Sequence, residues 1–305
     1  MIKINKINKI FMLTIILFIL LIFFIFFYND IEFFLIKHND QLYISSRNDR
    51  YGANSIPWIT MIYLSKILKK KLYHNCDKNC KKYYNNLIHK YLILNSNTTK
   101  DKNIINNDYH KLSKWSTDII CKKIYSIKKE VFPDVFYNSK ESNDIFKLYD
   151  NKYKNNVNKN IIDSTIIHIR LGDVNHKNNT AHQSFIGEER LIKLINYLFK
   201  KYKKPIYFMT SPNNKDKELI YNILRKSNII KKYKKTKFIL GSHDIDYDLY
   251  LMMICKQLVI SKSTFPYISA LINKNTVYTT DNWIHYRDIL GNNQMSNKIK
   301  ILNYK

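Results

Sequence analysis

The chain has 305 residues, of which 45% are hydrophobic, and this excludes a chain too polar to form a buried core. Its formal net charge is +27 at pH 7. Such a charge suits nucleic-acid binding, contact with an anionic membrane surface, or a plain compositional bias. The lysines are scattered along the chain rather than gathered in one arm, which favours the compositional bias.

The first predicted element is an apolar segment, Ile10–Phe27, whose only polar residue is Thr14. A helix of that length spans about 27 Å, enough to cross the hydrocarbon core of a bilayer. Lysines precede the segment and acidic residues follow it, so the positive-inside rule places the N-terminus in the cytosol. We therefore predict a cytosolic tail over residues 1–9, a transmembrane signal anchor over the apolar segment and a stem over residues 28–41. A cleaved signal peptide is the alternative, but no small-residue cleavage site follows the segment.

This orientation predicts a single-pass type II membrane protein, whose main domain faces the Golgi or ER lumen if the host is eukaryotic. The four cysteines fit a lumenal domain without proving it. A disulfide between Cys76 and either Cys80 or Cys121 is one option, and free buried thiols are the other. Cys255 lies in an apolar stretch and is predicted to belong to the core.

Residues 42–160 are predicted to form an N-terminal subdomain. It opens with a short strand, Leu42–Ser45, followed by a strand-to-helix turn that contains Gly52 and Asn54. A helix is predicted to start at Pro57, because proline is favoured in a first helical turn and apolar residues follow it at helical spacing. Further helices are predicted near residues 85–94 and 115–125, and an exposed linker at 151–160.

Residues 161–305 are predicted to form a C-terminal subdomain in which strands and helices alternate. The strands are expected at residues 164–169, 206–209, 237–240, 258–260 and 276–279, and the helices at 188–201, 216–224, 246–255 and 265–272. Alternation with short connections predicts a parallel sheet with helices on both faces. Ligands of such sheets bind at the carboxyl ends of the strands. The residues that directly follow each strand are therefore the candidates for function.

Two of these strand ends carry residues suited to bind a phosphate group. His168 and Arg170 share one face at the end of their strand, and the planar guanidinium of Arg170 could grip a phosphate. A salt bridge between Arg170 and Asp173 that closes a turn is the alternative. Ser263 and Thr264 open a helix, where a hydroxyl serves either as an N-cap or as part of an anion site.

Three blocks of the sequence resemble one enzyme family. The segment His168–Asp173, HIRLGD, resembles the HxRxGD motif of the fucosyltransferases of glycosyl transferase family 11 and of the related α1,6- and protein O-fucosyltransferases. Asp248–Cys255 and Ile260–Phe265 are similar to that family's D-L-x-L-M-x-x-C and I-x-x-S-[ST]-F blocks. Gly52-Ala53-Asn54 resembles the end of its G-x-G-N-Q turn. The resemblance covers about residues 42–60 and 164–275.

The resemblance implies an α/β fold of GT-B type, with two Rossmann-like halves after the anchor. The C-terminal half would bind the donor, with GDP-fucose expected, and the N-terminal half would face the hydroxyl of a glycan or glycoprotein acceptor. Enzymes of this family invert the anomeric centre and generally need no metal, so no cofactor is expected beside the donor substrate. The implied donor-binding residues are Arg170 at the diphosphate, Ser263 and Thr264 at the β-phosphate, His168 and Asp248 near the ribose and guanine, and Gly52 and Asn54 in the donor-facing turn.

The chain departs from the family's pattern in a few places. Leu171 stands where the family often has a second Arg, and Ser55 stands where Gln is usual. The aromatic pair after the family's S-[ST]-F is replaced by Pro266-Tyr267, and the first Gly of G-x-G-N-Q is absent. These departures bear on the identity of the donor sugar more than on the fold.

The expected reaction displaces GDP from C1 of the sugar by an acceptor hydroxyl. Arg170 and the backbone N–H groups near Ser263 would stabilise the charge that develops on the leaving diphosphate. Asp173 is the second candidate catalytic residue, but the sequence does not choose among Asp173, His176 and Glu188 as the general base.

Two other classes of function compete with this one. The first is a metal-dependent glycosyltransferase of GT-A type, because Asp244-Ile245-Asp246 resembles a DxD motif that could hold a divalent cation against a diphosphate. The second is a non-catalytic, basic, membrane-anchored protein that binds nucleic acid or anionic lipid, or that serves a structural role. The predicted orientation argues against nucleic acid as a partner, because it places the main domain away from the cytosol.

Overall fold

The computed structural model describes a compact set of segments that begins after the predicted anchor. These are residues 41–45, 51–75, 85–98, 120–171, 187–232, 236–238, 241–261, 263–280, 296–302 and 304. The predicted tail, anchor and stem lie outside them, apart from residue 41. Within the segments just given, no helix is both long enough and apolar enough to cross a bilayer.

The N-terminal segments form a three-stranded parallel sheet in the order β1-β2-β3. Its elements in chain order are β1 (Gln41–Ser45), α1 (Tyr51–Leu68), β2 (Lys71–Asn75), α2 (Leu87–Leu94) and β3 (Asn97–Thr98). The predicted strand at 42–45 and the helix near 85–94 are thereby confirmed. β2 and β3 were not predicted, since both are short and polar.

The predicted start of α1 at Pro57 is wrong, because the helix already begins at Tyr51. Gly52 and Asn54 therefore lie in its first turn and not in a loop between strand and helix. A proline inside a helix removes one backbone hydrogen bond, here the bond to the carbonyl four residues earlier. The helix continues because residues 55–65 are all buried, so packing outweighs that loss.

In the described part of the chain, four helices lie between the two sheets. They are α3 (residues 120–128), α4 (Phe132–Tyr137), α5 (Lys140–Tyr153) and α6 (Lys159–Ile162), with a 3₁₀ turn over Lys154–Asn156. The predicted exposure of residues 151–160 is confirmed for all but Tyr153 and Val157, but the prediction of a linker is wrong, because α5 runs to Tyr153 and α6 follows closely. Tyr149 and Tyr153 bury their rings although the sequence around them is polar, and this anchors α5 to the core.

The C-terminal segments form a six-stranded sheet in which every described pair of strands is parallel. Its strands are β4 (Thr165–His168), β5 (Ile206–Met209), β6 (Thr236–Phe238), β7 (Gln257–Ile260), β8 (Thr276–Thr280) and β9 (Ile299–Leu302). Its helices are α7 (Glu188–Tyr202), α8 (Asn214–Lys226), α9 (Ile229–Lys232), α10 (Ile245–Ile254) and α11 (Thr264–Ile272). The predicted α/β alternation is confirmed, whereas α9 and β9 were not predicted.

The strand order is β6-β5-β4-β7-β8-β9, so the chain builds outward from β4 in one direction and then from β7 in the other. This is the order of a Rossmann-type sheet, and its direction reverses between β4 and β7. Ligands of such folds bind at that reversal, beyond the carboxyl ends of the strands. The fold therefore singles out the ends of β4 and β7.

The register of the sheet defines two faces. Ile166 pairs with Tyr207 and with Leu258, and these residues belong to the core that contains α10 and α11, so we call this the α11 face. Ile167 and the residues paired with it point to the other side, into the core that contains α7 and α8. Both faces are thus covered, as expected for buried parallel strands.

Buried side-chain hydrogen bonds connect the N-terminal elements to α10. Asp246 accepts a hydrogen bond from the backbone N–H of Leu87 at 2.9 Å and another from the hydroxyl of Tyr149 at 2.9 Å. Tyr153 donates to Asp244, the N-cap of α10, at 2.7 Å. Asp246, in α10, therefore supplies a hydrogen-bond acceptor to a backbone N–H in the first turn of α2. The division into subdomains at residue 160 stays a prediction, since α5 packs closely against α10.

We predict that Asp246→Ala lowers the free energy of unfolding by about 2–4 kcal/mol, because it removes the acceptor of two buried hydrogen bonds. Asp144→Ala is the matched control, since Asp144 pairs with Lys140 one helical turn away on the exposed side of α5. That change should cost no more than about 0.5 kcal/mol. Urea denaturation of both variants measures the difference, and equal losses would contradict the role assigned to Asp246.

Candidate functional site

The ends of β4 and β7 are joined by a hydrogen bond between two side chains. The Nδ1 atom of His168, the last residue of β4, lies 2.5 Å from the hydroxyl oxygen of Ser261, which follows β7. His168 is only 6% exposed, and its ring packs against Phe265 with the centroids 5.9 Å apart. Burial, reinforced by the positive charge of Arg170, lowers the pKa of His168 to about 3. The imidazole is therefore neutral at physiological pH and acts here as a hydrogen-bonding group.

Arg170 extends from the same strand end. The N–H of Ile169 donates to the carbonyl of Met209 at 2.8 Å, so the chain still follows the neighbouring strand directly before Arg170. Arg170 itself is half-buried, and its charge is close enough to act on His168. Asp173 and His176 lie outside the described residues, so the salt bridge between Arg170 and Asp173 and the choice of base stay predictions. Glu188 is exposed at the start of α7.

The N-terminus of α11 lies beside this strand end. Ser263 is the N-cap, and its hydroxyl accepts a hydrogen bond from the N–H of Phe265 at 3.4 Å. Thr264 is the first residue of the helix. The predicted capping role of Ser263 is thus confirmed, while anion binding by this helix end stays a prediction. The helix spans nine residues, and its N-terminus carries partial positive charge.

Asp248 and Gly241 hold the turn that follows β6. The buried carboxylate of Asp248 accepts the N–H of Ser242 with both oxygens, at 2.9 and 2.8 Å. A Cβ atom on Gly241 would lie 1.9 Å from the carbonyl oxygen of Thr210 and 3.2 Å from Asp248, so only glycine fits this approach of two backbones. Burial raises the pKa of Asp248 to about 7. The role implied for Asp248 near the donor base is not tested by these contacts.

The predicted site residues fall into two groups. His168 and Arg170 meet Ser263 and Thr264 at the ends of β4 and β7. Asp248, in the first turn of α10, holds the turn after β6, and this turn approaches Thr210 at the end of β5, the strand next to β4. Gly52 and Asn54 lie in the first turn of α1, and the helix α1 packs against α11. The side chains of these two residues are outside the described set.

The acidic pair of the competing metal-dependent hypothesis is occupied by protein donors. Asp244 accepts hydrogen bonds from the N–H groups of Asp246 and Tyr247 with one oxygen and from Tyr153 with the other. Both oxygens of Asp246 are taken as well, by Leu87 and Tyr149. In the described part of the chain, no group of three or more His, Cys, Asp or Glu side chains is placed to hold a metal ion. Both carboxylates therefore serve as hydrogen-bond acceptors within the protein.

Two features of the site were not predicted from the sequence. The bond between His168 and Ser261 was missed, although the order of a Rossmann-type sheet would have indicated that these strand ends are neighbours. The hydroxyls of Thr210 and Thr279, at the ends of β5 and β8, are buried and have no hydrogen-bond partner among the described residues. The sequence carries no signal for this, because whether a buried hydroxyl finds a hydrogen-bond partner depends on the surrounding structure.

No protein-family model and no curated protein sequence matches the chain. Among solved structures, it is similar to the E. coli heptosyltransferase WaaC with ADP, at 6% identity and a TM-score of 0.44, over 86% of this chain and 92% of that one. It is also similar to the E. coli ADP-heptose LPS heptosyltransferase II, at 9% identity and a TM-score of 0.45, over 86% and 90% of the two chains. The UDP-GlcNAc 2-epimerase of Methanocaldococcus jannaschii is similar at 12% identity and a TM-score of 0.36, over 90% and 70%. TM-scores below 0.5 are too low to assign an activity.

We predict that Gly241→Ala disturbs the turn after β6, because the added methyl group forces the backbones of Gly241 and Thr210 apart. Overpacking of this kind costs about 1–3 kcal/mol of stability. The amide proton of Ser242 should then exchange faster with solvent, since Asp248 no longer holds it. Hydrogen exchange followed by mass spectrometry or NMR measures this.

Gly187→Ala is the control for general destabilisation. Gly187 has a φ of 83°, so an alanine there is strained by about 1–3 kcal/mol, but no atom lies within 4 Å of the added Cβ. This variant should leave exchange at Ser242 unchanged. Faster exchange in both variants would mean that the turn is not held by the contact at Gly241.

We also predict a pH dependence of stability from Asp248. Its pKa is 3.8 in the unfolded chain and about 7 in the folded one, so the folded state keeps a proton that the unfolded state releases. The stability contributed by this group is complete below pH 3.8 and is lost as the pH rises to about 7. Asp248→Asn should remove that loss.

Denaturant midpoints of the wild type and Asp248→Asn, measured from pH 4 to 8, check this prediction. The buried histidines affect both proteins alike, so the difference between the two curves isolates Asp248. Parallel curves across this range would show that the carboxyl does not titrate there.

Proposed function

We propose that this protein is a glycosyltransferase of GT-B type, which transfers a sugar from a nucleotide sugar to a hydroxyl of a glycan or glycoprotein. The observation that carries the proposal is the joined end of β4 and β7. There His168 and Ser261 are bonded at the reversal of strand order, with Arg170 and the N-terminus of α11 beside them. A guanidinium and a helix N-terminus at one strand edge suit a diphosphate.

Fucose from GDP-fucose is the proposed sugar and donor. This finer assignment is supported by the resemblance of HIRLGD, from His168 to Asp173, and of the segments around Asp248 and Ser263 to the family 11 fucosyltransferases. The structure is compatible with it, because two of the three segments, those around His168 and Ser263, meet at one edge of the sheet. The third, at Asp248, holds a neighbouring turn at the same edge.

The proposed reaction is a single displacement with inversion at C1 of the sugar. The acceptor oxygen bonds to C1 while the bond from C1 to the diphosphate oxygen breaks, and the electron pair leaves with GDP. Arg170 and the N–H groups at the start of α11 stabilise the negative charge that grows on the diphosphate. The acceptor proton passes to a base, for which Asp173, His176 and Glu188 are the candidates. This scheme needs no metal ion, because the cationic groups of the chain itself neutralise the leaving group.

His168 has a different part in this scheme. Its imidazole is buried, neutral and hydrogen-bonded through Nδ1 to Ser261, so it does not supply a positive charge to the diphosphate. We propose that His168 holds β4 against β7 and contacts the ribose of the donor. The charge at the diphosphate then comes from Arg170 and from the helix, and not from the histidine.

The cellular setting is part of the proposal. A signal anchor over residues 10–27 would tether the catalytic domain to the membrane, with that domain in the Golgi or ER lumen of a eukaryotic host. Such a position suits an enzyme that acts on glycans or glycoproteins. Protease protection of the domain in sealed microsomes would test the orientation.

We predict that the full-length chain in mild detergent releases GDP from GDP-fucose, and that a metal chelator does not affect this. Donors with GDP, UDP and CMP are compared, each with and without chelator. Preference for a UDP-sugar together with sensitivity to chelator would favour the metal-dependent alternative. Lack of binding and of turnover with every donor would refute the enzymatic function.

The same assay tests Arg170. Arg170→Ala should slow turnover by at least about 10²-fold with the fold intact, because it removes a cation from the developing charge. Arg225→Ala is the matched control, since Arg225 is exposed on α8 and stacks on Tyr221. Circular dichroism verifies that both variants are folded. Activity of Arg170→Ala near the wild-type level would rule out the proposed role.

A further inference from the structure

A buried hydroxyl near the carboxyl end of β8 has no role in the scheme above. Thr279 is 4% exposed, its Oγ1 atom is shielded from water, and none of the residues that the structure describes is a hydrogen-bond partner for it. Buried polar atoms in folded proteins nearly always have a partner, so each exception calls for an explanation. One explanation is that the partner is a ligand that is bound during function.

The register of the sheet places Thr279 in line with the candidate site. Thr279 pairs with Ile260, the last residue of β7, and both point to the α11 face. His168 lies two residues after Ile166, which pairs with Leu258, and therefore belongs to the same lateral row. The row His168, Ile260 and Thr279 thus crosses the sheet at its carboxyl edge, over about 10 Å.

The start of α11 covers this row. The helix begins directly after the end of β7 and connects β7 to β8, so its N-terminus lies at the edge to which Thr279 belongs. Contact between Phe265, in the first turn, and His168 shows that this turn is packed on the row. A helix N-terminus and an unpartnered buried hydroxyl therefore occupy the same corner of the site. Both are hydrogen-bond donors, and together they suit an anion.

We propose that the hydroxyl of Thr279 donates a hydrogen bond to the terminal phosphate of the nucleoside diphosphate held at the N-terminus of α11. This inference rests on the proposed function and adds a binding residue to it. Arg170 approaches the diphosphate from the side of β4, and Thr279 from the side of β8.

The test is Thr279→Val, which removes the hydroxyl and keeps the shape of the side chain. Replacement of an unsatisfied buried hydroxyl by a methyl group should leave the stability unchanged or raise it. The affinity for GDP should nevertheless fall by about 10–100-fold, the loss expected for a hydrogen bond to a charged group. The affinity for GMP, which lacks the terminal phosphate, should not change. Titration calorimetry on the full-length chain measures both, and urea denaturation measures stability.

Two further variants serve as controls. Thr279→Ser retains the hydroxyl and should bind GDP like the wild type. Thr276→Val alters the opposite end of the same strand and should leave both affinities unchanged. If Thr279→Val does not fold, Thr279→Ala, which also lacks the hydroxyl, replaces it in the same titrations.

The outcomes separate this inference from the proposed function. Wild-type affinity for GDP in Thr279→Val would overturn the role of Thr279 while the glycosyltransferase proposal stands. An equal loss of GDP and GMP affinity would also overturn it, because the contact would then not be to the terminal phosphate. A wild-type chain that binds none of GDP, UDP and ADP would refute the proposed function itself, and this inference with it.

Discussion

In the six-stranded sheet, β4 and β7 are hydrogen-bonded neighbours, although 93 residues separate His168 from its partner Ser261. Parallel strands require a crossover between them, and the chain completes β5 and β6 on one side of β4 before it returns to form β7 on the other. The strand order therefore reverses between β4 and β7, which is where sheets of this kind bind their ligands. The short step from β7 into α11 then brings a helix N-terminus to the same place. The candidate site is therefore a direct consequence of the strand order.

The first turn of α10 supports this edge from a second direction. Three carboxylates, on Asp244, Asp246 and Asp248, follow one another at alternate positions, and each has a different set of donors. The first caps its own helix, the second meets α2 and α5, and the third holds the turn at Ser242. One helix end thus determines how the N-terminal elements and the turn after β6 lie relative to the sheet. Carboxylates spaced like a metal-binding motif can thus hold neighbouring elements together as hydrogen-bond acceptors.

Most of the C-terminal sheet could be predicted because its strands are buried on both faces and therefore consist mainly of apolar residues. β5, with all four residues buried, was predicted to the residue. β9 was missed because it is an edge strand whose two central residues are partly or fully exposed, so it lacks that signature. Residues 151–153, the end of the helix that carries Tyr149 and Tyr153, were predicted as part of a linker, since the aspartates that partner these tyrosines come about a hundred residues later. Likewise, the members of the site were predicted from motifs, but the bond between His168 and Ser261 depends on strand order, which no local pattern encodes.

The hydrogen bond from Leu87 to Asp246 joins residues 159 positions apart. During synthesis, the first turn of α2 therefore leaves the ribosome long before its acceptor has been made. Contacts of such long range slow folding, because the entropy of closing the long loop is lost before the contact contributes any stability. The N-terminal elements consequently cannot complete this buried hydrogen bond until Asp246 has been synthesised, and their apolar surfaces stay exposed to aggregation for that time.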